Sequence, residues 1–407
     1  EGLSGLWCVS LGFSEMRLWE AAQSQMEELP YYHSFGGKVP DVSLELAERL
    51  VQMAPTPLSR AIFANSGSES NDTAVKIAWY YNNALGRRQK KKIISRAFGY
   101  HGTTIISASM SGMDYAHDGF DLPMPVVLHT DCPHHYRYAE PSESENSFAD
   151  RMATNLETLI LEEDPDTIAA FIAEPIQGAG GVIVPPANYF EKIQQVLRKY
   201  DILMIAVEVI CGFGRTGEMF GSQAFNIIPD MMTVAKQLSS GYQPISALMI
   251  TEPIYEALRD QSNNLGTFGH GYTYTGHPVA AAVALETLKI YDEREIVDQV
   301  RETGPILQKS LREFASHPIV GHVRGLGLIA GVELTSDKAT REAFDPKHKV
   351  GAYLVQRAQD YGLIVRALPG DCIAFCPPLI VKEQEINQII EIFGHALQDT
   401  AKAFGVN

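Results

Sequence analysis

The chain has 407 residues and a formal net charge of −16 at pH 7, with 45% hydrophobic and 20% charged residues. This length predicts roughly two to three structural domains around a large core, and the composition is that of a globular protein. The charge argues against nucleic-acid binding, since the one basic cluster, at 87–92, is as short as a solvated helix end or loop. We also expect no membrane insertion, because no run of about 18 apolar residues occurs.

The elements predicted in chain order alternate between short apolar strands and amphipathic helices. Strands are predicted at 92–95, 167–173, 202–209, 231–235 and 246–250. Helices are predicted at 68–84, 188–200, 277–292, 296–314 and 383–403. This alternation predicts an α/β fold in which helices cover both faces of a mostly parallel sheet.

The division into domains is predicted from a change near 277–300, where Gly-rich strands and loops give way to a long helix and an α+β tail. We predict a large domain over 46–290 and a smaller C-terminal domain over 291–407. The N-terminal segment, 1–45, is expected to join the small domain.

The five cysteines stand at positions 8, 132, 211, 372 and 376 and form no C-x-x-C pair. So few cysteines in a long chain predict no disulfide framework and favour a reducing compartment, and we therefore expect a cytoplasmic protein. Ile, Ala and Phe separate Cys372 from Cys376, and no ligating His or Cys follows them. This pattern predicts strand packing, and we expect no metal site.

A candidate anion site begins at Ser66, where small residues lead directly into a predicted helix. Ser66 and Glu69 have the spacing of a capping box, and Gly67 and Ser68 leave backbone N–H groups at the helix N-terminus. These N–H groups, the helix dipole and a hydroxyl suit a phosphate. The alternative is an ordinary helix cap.

Lys236 follows an apolar run and stands between Ala235 and small polar residues. Lysine is seldom fully buried, and burial would lower its pKa and make its amine nucleophilic at neutral pH. Such an amine forms a Schiff base with a carbonyl cofactor. By itself, the position also fits a surface lysine at the start of a helix.

A G-x-G-x-x-G pattern at 212–217 follows a predicted strand and requires that a nicotinamide dinucleotide site be considered. That fingerprint opens a helix and is followed about twenty residues later by an acidic residue at the end of the next strand. Here the glycines run into Glu218-Met219-Phe220-Gly221, and the next predicted strand leads to Lys236. A dehydrogenase is therefore disfavoured.

Taken together, the motifs resemble the class III aminotransferases, which are fold type I pyridoxal phosphate enzymes, and most closely the ω-transaminases that use pyruvate as acceptor. The resemblance extends over nearly the whole chain, and the order and spacing of its motifs are specific. They stand at 5–9, 65–69, 99–102, 174–181, 208–217, 235–236 and 270–278, followed by Arg366 ahead of Pro377-Pro378.

The resemblance implies a mostly parallel seven-stranded sheet, a smaller α+β domain and pyridoxal 5'-phosphate as cofactor, with pyridoxamine 5'-phosphate as its half-reaction form. Lys236 would carry the cofactor and move the proton during transamination. The other implied cofactor contacts come from Ser66, Gly67, Ser68, Tyr100, His101, Glu174, Val207 and Thr273. Tyr100 would stack on the pyridine ring, where an aromatic face adds about 0.5–1.5 kcal/mol beyond area burial.

The resemblance also implies the substrate side of the site and a shared assembly. An amine donor and a keto acid acceptor, pyruvate, would bind at Trp7, Phe35, Tyr100, Ala179, Tyr272 and Arg366. Arginine can form two hydrogen bonds to a carboxylate, which suits pyruvate. Thr273, with Tyr272, would reach the phosphate of the neighbouring subunit, which implies a homodimer, or a tetramer built from it.

One position departs from the family pattern at the centre of the site. The family's strand reads Asp-Glu-Val, and this chain has Val207-Glu208-Val209. In the family the aspartate keeps the pyridine nitrogen protonated, and a charge so placed shifts a pKa by about 1–3 units. Glu208 should point to the opposite face of the strand. Gln237, where the family usually has glycine, and Ser246 are milder departures.

Three interpretations of Val207 remain open at this point. It marks an impaired or engineered enzyme, a natural variant with racemase-like use of a neutral ring, or a site in which a different residue reaches the ring. In each case the cofactor site survives and transamination is the intended or ancestral activity.

Overall fold

The protein is described by a computed structural model that covers residues 1–55 and 57–405. Seven strands form the main sheet: β1 (Leu58–Ala64), β2 (Lys92–Arg96), β3 (Val127–Thr130), β4 (Ile168–Ala173), β5 (Leu203–Val207), β6 (Met231–Val234) and β7 (Ser246–Thr251). Their order is β1-β7-β6-β5-β4-β2-β3, and only β7 runs antiparallel to its neighbours. The predicted α/β class and mostly parallel sheet are confirmed.

The helices are distributed along the whole described chain. They are α1 (Ser4–Trp7), α2 (Met16–Glu28), α3 (Asp41–Met53), α4 (Gly67–Ala84), α5 (Ile105–Met110), α6 (His135–Tyr138), α7 (Glu145–Glu162), α8 (Tyr189–Lys199), α9 (Gly221–Ala224), α10 (Glu252–Leu265), α11 (Pro278–Glu293), α12 (Ile296–Glu313), α13 (Val350–Asp360) and α14 (Glu383–Ala403).

The central strand β5 is buried on both faces, which explains its continuous apolar sequence. Leu203, Ile205 and Val207 belong to the core that includes the apolar residues of α4, and Met204 and Ala206 belong to the core that includes those of α7 and α8. Successive side chains of a strand point to opposite faces, so this alternation places Val207 on the α4 side of the sheet.

A second, antiparallel sheet lies in the C-terminal part of the chain. Its strands are β8 (Val320–Leu326), β9 (Ile329–Leu334), β10 (Arg366–Leu368) and β11 (Cys372–Phe375), in the order β10-β11-β9-β8. The N-terminal residue Gly2 bonds to this region, through its N–H to Ile364 (2.8 Å) and its carbonyl to Cys376 (2.7 Å). Helices α2 and α3, in contrast, pack against α11. The domain boundaries at 45 and 290 stay predictions.

The predicted elements differ from the observed ones mainly at their ends and at the edges of the main sheet. The strand predicted at 202–209 ends at Val207, where a series of turns begins. Strands β1 and β3 were not predicted, because β1 alternates irregularly between buried and half-exposed residues and β3 has only 4 residues. Residues 212–217 lie in those turns and open no helix, which agrees with the rejection of a dinucleotide fingerprint.

Two further properties concern the described residues only. Their helices include none with the length and apolarity needed to cross a bilayer. Their His, Cys, Asp and Glu side chains do not gather in a group of three or more that would hold a metal ion. All five cysteines are free thiols, and four of them are buried.

Candidate active site

A cavity of about 640 Å³ lies at the carboxyl ends of three neighbouring parallel strands. Glu174 directly follows β4, Val207 ends β5, and Lys236 follows β6 after one residue. This edge of an open α/β sheet is where ligands usually bind. The cavity is lined by Leu6, Trp7, Cys8, Asn65, Ser66, Gly67, Ser68, Asn71, Tyr100, His101, Gly102, Tyr115, Glu174, Ala179, Val207, Val209, Ile210, Ala235, Lys236, Gly241, Gln243, Pro244, Ile245 and Arg366.

Lys236 lines this cavity and carries an amine. It begins a short 3-10 turn, Lys236–Ser239, and its backbone is left-handed with φ +47°. Burial lowers the pKa of Lys236 below its ordinary value, and the negative charge of Glu174 opposes this shift. A larger fraction of the amine is therefore unprotonated and nucleophilic than in an exposed lysine.

The N-terminus of α4 forms one end of the cavity. Ser66 caps the helix, since its Oγ accepts a hydrogen bond from the Glu69 N–H (3.2 Å). Glu69 does not complete the predicted capping box, because its carboxylate accepts from the N–H of Asn65 (2.7 Å) and not from Ser66. The N–H groups of Gly67 and Ser68 precede the first intrahelical bond, so this end can bind an anion.

The loop that carries Tyr100 is held against this helix start. Ser68 Oγ accepts a hydrogen bond from the Thr103 N–H (3.1 Å), and a Cβ on Gly102 would lie 2.3 Å from the same Oγ. The glycine thus allows a close approach between loop and helix. Protein packing therefore accounts for a glycine at position 102.

Glu174 fixes the backbone beside Tyr100. Its two carboxylate oxygens accept hydrogen bonds from the N–H groups of Tyr100 and Gly178, both at 2.9 Å. Burial raises the pKa of Glu174, and these two backbone bonds oppose the shift. Burial also raises the pKa of the Tyr100 phenol, so this side chain stays neutral at ordinary pH.

Val207 places an apolar side chain where the resemblance predicts an acid. Glu208 faces away from the cavity, as expected, and accepts hydrogen bonds from the N–H groups of Gly221 (2.9 Å) and Ser222 (2.5 Å). His101 also lines the cavity, and burial lowers its pKa to about 3, so its imidazole is neutral. Among the described lining residues, Glu174 is the only carboxylate.

The opposite side of the cavity combines an aromatic wall with a cation. The guanidinium carbon of Arg366 lies 5.3 Å from the centroid of the Trp7 ring. Ala179 and Tyr115 also line the cavity. The structure thus brings together four of the six predicted substrate-side residues.

The remaining predicted residues, Phe35, Tyr272 and Thr273, lie outside the cavity lining and close to one another. A Cβ on Gly271 would lie 2.7 Å from the Phe35 ring, and the Tyr272 hydroxyl bonds to the Glu69 carbonyl (3.1 Å). Thr273 is exposed. Their roles in substrate and phosphate binding stay predictions.

A family model fits this arrangement along most of the chain. The model for Aminotransferase class-III matches residues 1–397. The chain belongs to the class III aminotransferases. Its seven-stranded sheet and its separate antiparallel sheet form the fold of the fold type I pyridoxal phosphate enzymes.

Individual relatives of this aminotransferase agree with the family. It is 54% identical to gamma aminobutyrate transaminase 3, chloroplastic, of Solanum lycopersicum, over 98% of this chain and 77% of the relative. Identity to vanillin aminotransferase of Capsicum chinense is 52%, over 98% of this chain and 87% of that protein. The crystal structure of the omega transaminase from Pseudomonas jessenii in complex with PMP is 56% identical, with a TM-score of 0.98, over 100% of this chain and 89% of that one.

The cofactor of this aminotransferase is pyridoxal 5'-phosphate, which class III aminotransferases use. The residues present fit it at two places: a helix N-terminus with the small residues Gly67 and Ser68, and the amine of Lys236, whose pKa is lowered by desolvation. They do not supply an acid for the pyridine nitrogen, since Val207 occupies that strand end.

Several lining residues were not predicted from the sequence. Asn71 stands one helical turn after Gly67, so the helical period alone would have placed both on one face of α4. Tyr115 lies in a short 3-10 segment, Asp114–Ala116, and Gln243 in a loop after the Lys236 turn. Neither of these two belongs to a recognisable motif, and only the tertiary fold brings them to the cavity.

Proposed function

We propose that this aminotransferase moves an amino group from an amine or ω-amino acid donor to pyruvate, in two half-reactions that use the same site. The observation that carries this proposal is the position of Lys236, whose amine lines the same cavity as the N-terminus of α4. The relatives' names, gamma aminobutyrate transaminase, vanillin aminotransferase and omega transaminase, support a donor whose amine is terminal.

Different residues of the cavity would have different roles in this reaction. Bound pyridoxal phosphate supplies an aldehyde that condenses with amines and a ring that withdraws electrons. Lys236 would hold the cofactor and, once displaced by the donor, would accept the proton of the substrate carbon at Nζ and later return it. The N–H groups of Gly67 and Ser68 hold the phosphate, and Tyr100 covers the ring.

Arg366 would recognise the acceptor. Its guanidinium, above the Trp7 ring, can donate two parallel hydrogen bonds to the carboxylate of pyruvate. An amine donor without a carboxylate requires this exposed side chain to turn away from the cavity. In the family, members that act on ornithine-type substrates carry a glutamate at the position of Ala179, which argues against such donors.

Val207 would make this transamination slow. Without a carboxylate opposite the pyridine nitrogen, the protonated ring loses roughly 1.4–4 kcal/mol of stabilisation. The ring then withdraws electrons less strongly when Lys236 removes the proton. The second candidate function follows from the same residue: a cofactor-binding variant with impaired or racemase-like chemistry at a neutral ring.

We also propose that the active unit is a homodimer or a tetramer and that it works in the cytoplasm. Exposed aromatic residues near the cavity, Tyr31, Phe35 and Tyr274, favour coverage by a second copy, which would bring Thr273 to the neighbouring phosphate site. Sedimentation tests the assembly, and a monomer with full activity would contradict it. The free thiols agree with a reducing compartment, whereas two of the plant relatives are named as chloroplastic and mitochondrial, so cell fractionation is the test.

The most informative experiment is an absorbance spectrum of the purified protein, recorded alone, after a simple (S)-amine and then after pyruvate. We expect a yellow protein whose visible band disappears slowly with the amine and returns with pyruvate, while alanine forms. A visible band that does not change with the amine contradicts transamination, and racemisation of added L-alanine in the absence of a keto acid would support the second candidate. A colourless protein that responds to nicotinamide dinucleotide would restore the dehydrogenase interpretation.

A further inference from the structure

The residue after the active-site lysine, Gln237, is almost completely buried, and both N–H donors and the oxygen of its amide form hydrogen bonds. Its Nε2 donates to the carbonyls of Ile210 (2.7 Å) and Gly212 (2.9 Å). Its Oε1 accepts from Nη2 of Arg215 (3.2 Å). This orientation of the amide is the only one that pairs donors with acceptors, because the reverse would place oxygen against two carbonyls and NH₂ against a guanidinium.

Arg215 is fully buried and joins three parts of the chain to this glutamine. Its Nη1 donates to the carbonyls of Leu328 (3.0 Å) and Pro377 (2.6 Å), and its Nη2 approaches Ser4 Oγ (3.4 Å). The Leu328 N–H in turn donates to the Arg215 carbonyl (3.0 Å). Buried charges normally have an anionic partner, whereas this guanidinium donates from Nη1 and Nη2 to carbonyl, amide and hydroxyl oxygens, and its Nε has no partner among the described residues.

These contacts reach the segments that form the substrate side of the cavity. Ser4 stands three residues before Trp7 and donates a hydrogen bond to the Cys376 carbonyl. Pro377 follows β11, which pairs with β10, the strand that begins at Arg366. The contacts from Gln237 through Arg215 therefore end at Ser4, three residues before Trp7, and at Pro377, two residues after the strand that pairs with the Arg366 strand.

Lys236 needs such support because its own backbone is strained. It has φ +47°, a conformation that costs a residue with a Cβ about 1 kcal/mol or more and persists only where surrounding contacts hold it. Gln237 is the next residue and anchors this turn to the loop at Ile210, which lines the cavity. The turn also closes through a bond from the Gly241 N–H to the Lys236 carbonyl (3.2 Å).

We propose that Gln237 and Arg215 form a positioning pair that fixes the direction of Lys236 and couples it to the segments carrying Trp7 and Arg366. This inference rests on the proposed aminotransferase function. Neither residue touches substrate. The pair acts through the lysine, by keeping Nζ where it removes and returns the proton, and a displacement of about 1 Å in such a group costs on the order of 10²-fold in rate.

The test compares Gln237→Met with a matched control, Gln194→Met. Gln194 on α8 is also buried, its Nε2 donates to the Phe190 and Asn226 carbonyls (both 3.0 Å), and its Oε1 accepts from the Ile228 N–H (2.8 Å). Each substitution removes three hydrogen bonds, two from Nε2 to backbone carbonyls and one to Oε1, and Gln194 lies outside the cavity lining. The two holoenzymes are compared for melting temperature, single-turnover rate with a simple amine, and the pH midpoint of the visible absorbance.

We expect both variants to lose a similar amount of thermal stability. Only Gln237→Met should lower the single-turnover rate, by about 10- to 100-fold, and move the pH midpoint of the absorbance. If its rate and midpoint match those of Gln194→Met, the pair is merely structural and the proposal is overturned. A wild-type protein that reacts with no amine would instead contradict the proposed function.

A second variant keeps the test valid if Gln237→Met does not fold. Ser4→Ala removes the outermost contact of the pair and leaves Gln237 and Arg215 in place. We expect a rate loss in the same direction and smaller than that of Gln237→Met, with cofactor binding retained. An unchanged rate in Ser4→Ala would contradict the coupling to the N-terminal segment.

Discussion

Two regions around the cavity differ in how completely their polar groups are paired. In the first turn of α4, Ser66, Ser68 and Glu69 all accept or donate hydrogen bonds within the protein. One turn further along α4, in the loop after Tyr100 and on β6 beside Val207, buried polar atoms of three side chains have no partner among the described residues. These atoms are Asn71 Oδ1, His101 Nδ1 and Thr233 Oγ1, and Thr233 lies directly opposite Val207 in the sheet.

This contrast shows that one side chain can remove a chemical function while the fold persists. The phosphate end is built mainly from residues 65–69. The hydrogen bonds at this end form mostly among these neighbouring residues. The ring end receives its character from a single residue on β5, and Val207 packs there as well as any strand residue. Each unpaired buried polar atom costs about 1–3 kcal/mol, which a large core can tolerate.

The largest effect on amine turnover is expected from substitution of Lys236. Lys236→Ala should reduce amine turnover by at least about 10³-fold, because it removes the nucleophile and the proton carrier. The control is Lys90→Met, since Lys90 is another buried lysine whose pKa burial lowers, and it donates to the Tyr200 and Asp201 carbonyls away from the cavity. Steady-state rates should remain unchanged in this control, and comparable losses in both variants would contradict the assignment.

The next effect concerns the phosphate end. Gly102→Ala places a Cβ 2.3 Å from Ser68 Oγ and should weaken cofactor binding by about 10-fold or more, as overpacking typically does. Gly119→Ala is the matched control, because Gly119 also has a positive φ but nothing lies within 4 Å of an added Cβ. Fluorescence titration of both apoproteins with pyridoxal phosphate measures the difference. Equal affinities would show that the α4 N-terminus does not bind the phosphate.

The smallest expected effect is a shift in the pH dependence of cofactor capture. Only the neutral amine attacks an aldehyde, so the capture rate should rise with pH and level off at a midpoint below 10.5, the ordinary pKa of lysine. Glu174→Gln removes a negative charge that raises the pKa of Lys236 and should move this midpoint to lower pH. Stopped-flow absorbance gives both midpoints. A midpoint at or above 10.5 would show that the amine is not desolvated.

Local sequence patterns predicted the parts of the site that are local in the chain. The Ser66–Ser68 cap and Lys236 each lie within a few residues of a strand or helix boundary, where periodicity and turn chemistry carry information, whereas the departure at Val207 follows only from the family resemblance. The strands that are buried on both faces were also predicted, because their sequences are continuous apolar runs.

The sequence did not predict the contacts between segments that are distant in the chain. Asn71 and Tyr115 reach the cavity only through tertiary packing, and so does the link from Gln237 to Arg215. Phe35, Tyr272 and Thr273 were assigned by resemblance, and in one chain they lie beside the cavity and not in it. The partly exposed edge strand β1 carries no regular alternation, so no pattern could identify it.

The most direct test of this account is the single-turnover rate of Val207→Asp with a simple (S)-amine, measured beside Val207→Asn. The asparagine has the shape of the aspartate without its charge, so it separates charge from packing. We predict that aspartate raises the rate by about 10-fold or more, in line with a pKa change of about 1–3 units at the ring, and that asparagine does not. An unchanged rate with aspartate, or an equal gain with asparagine, would contradict the claim that Val207 limits proton transfer.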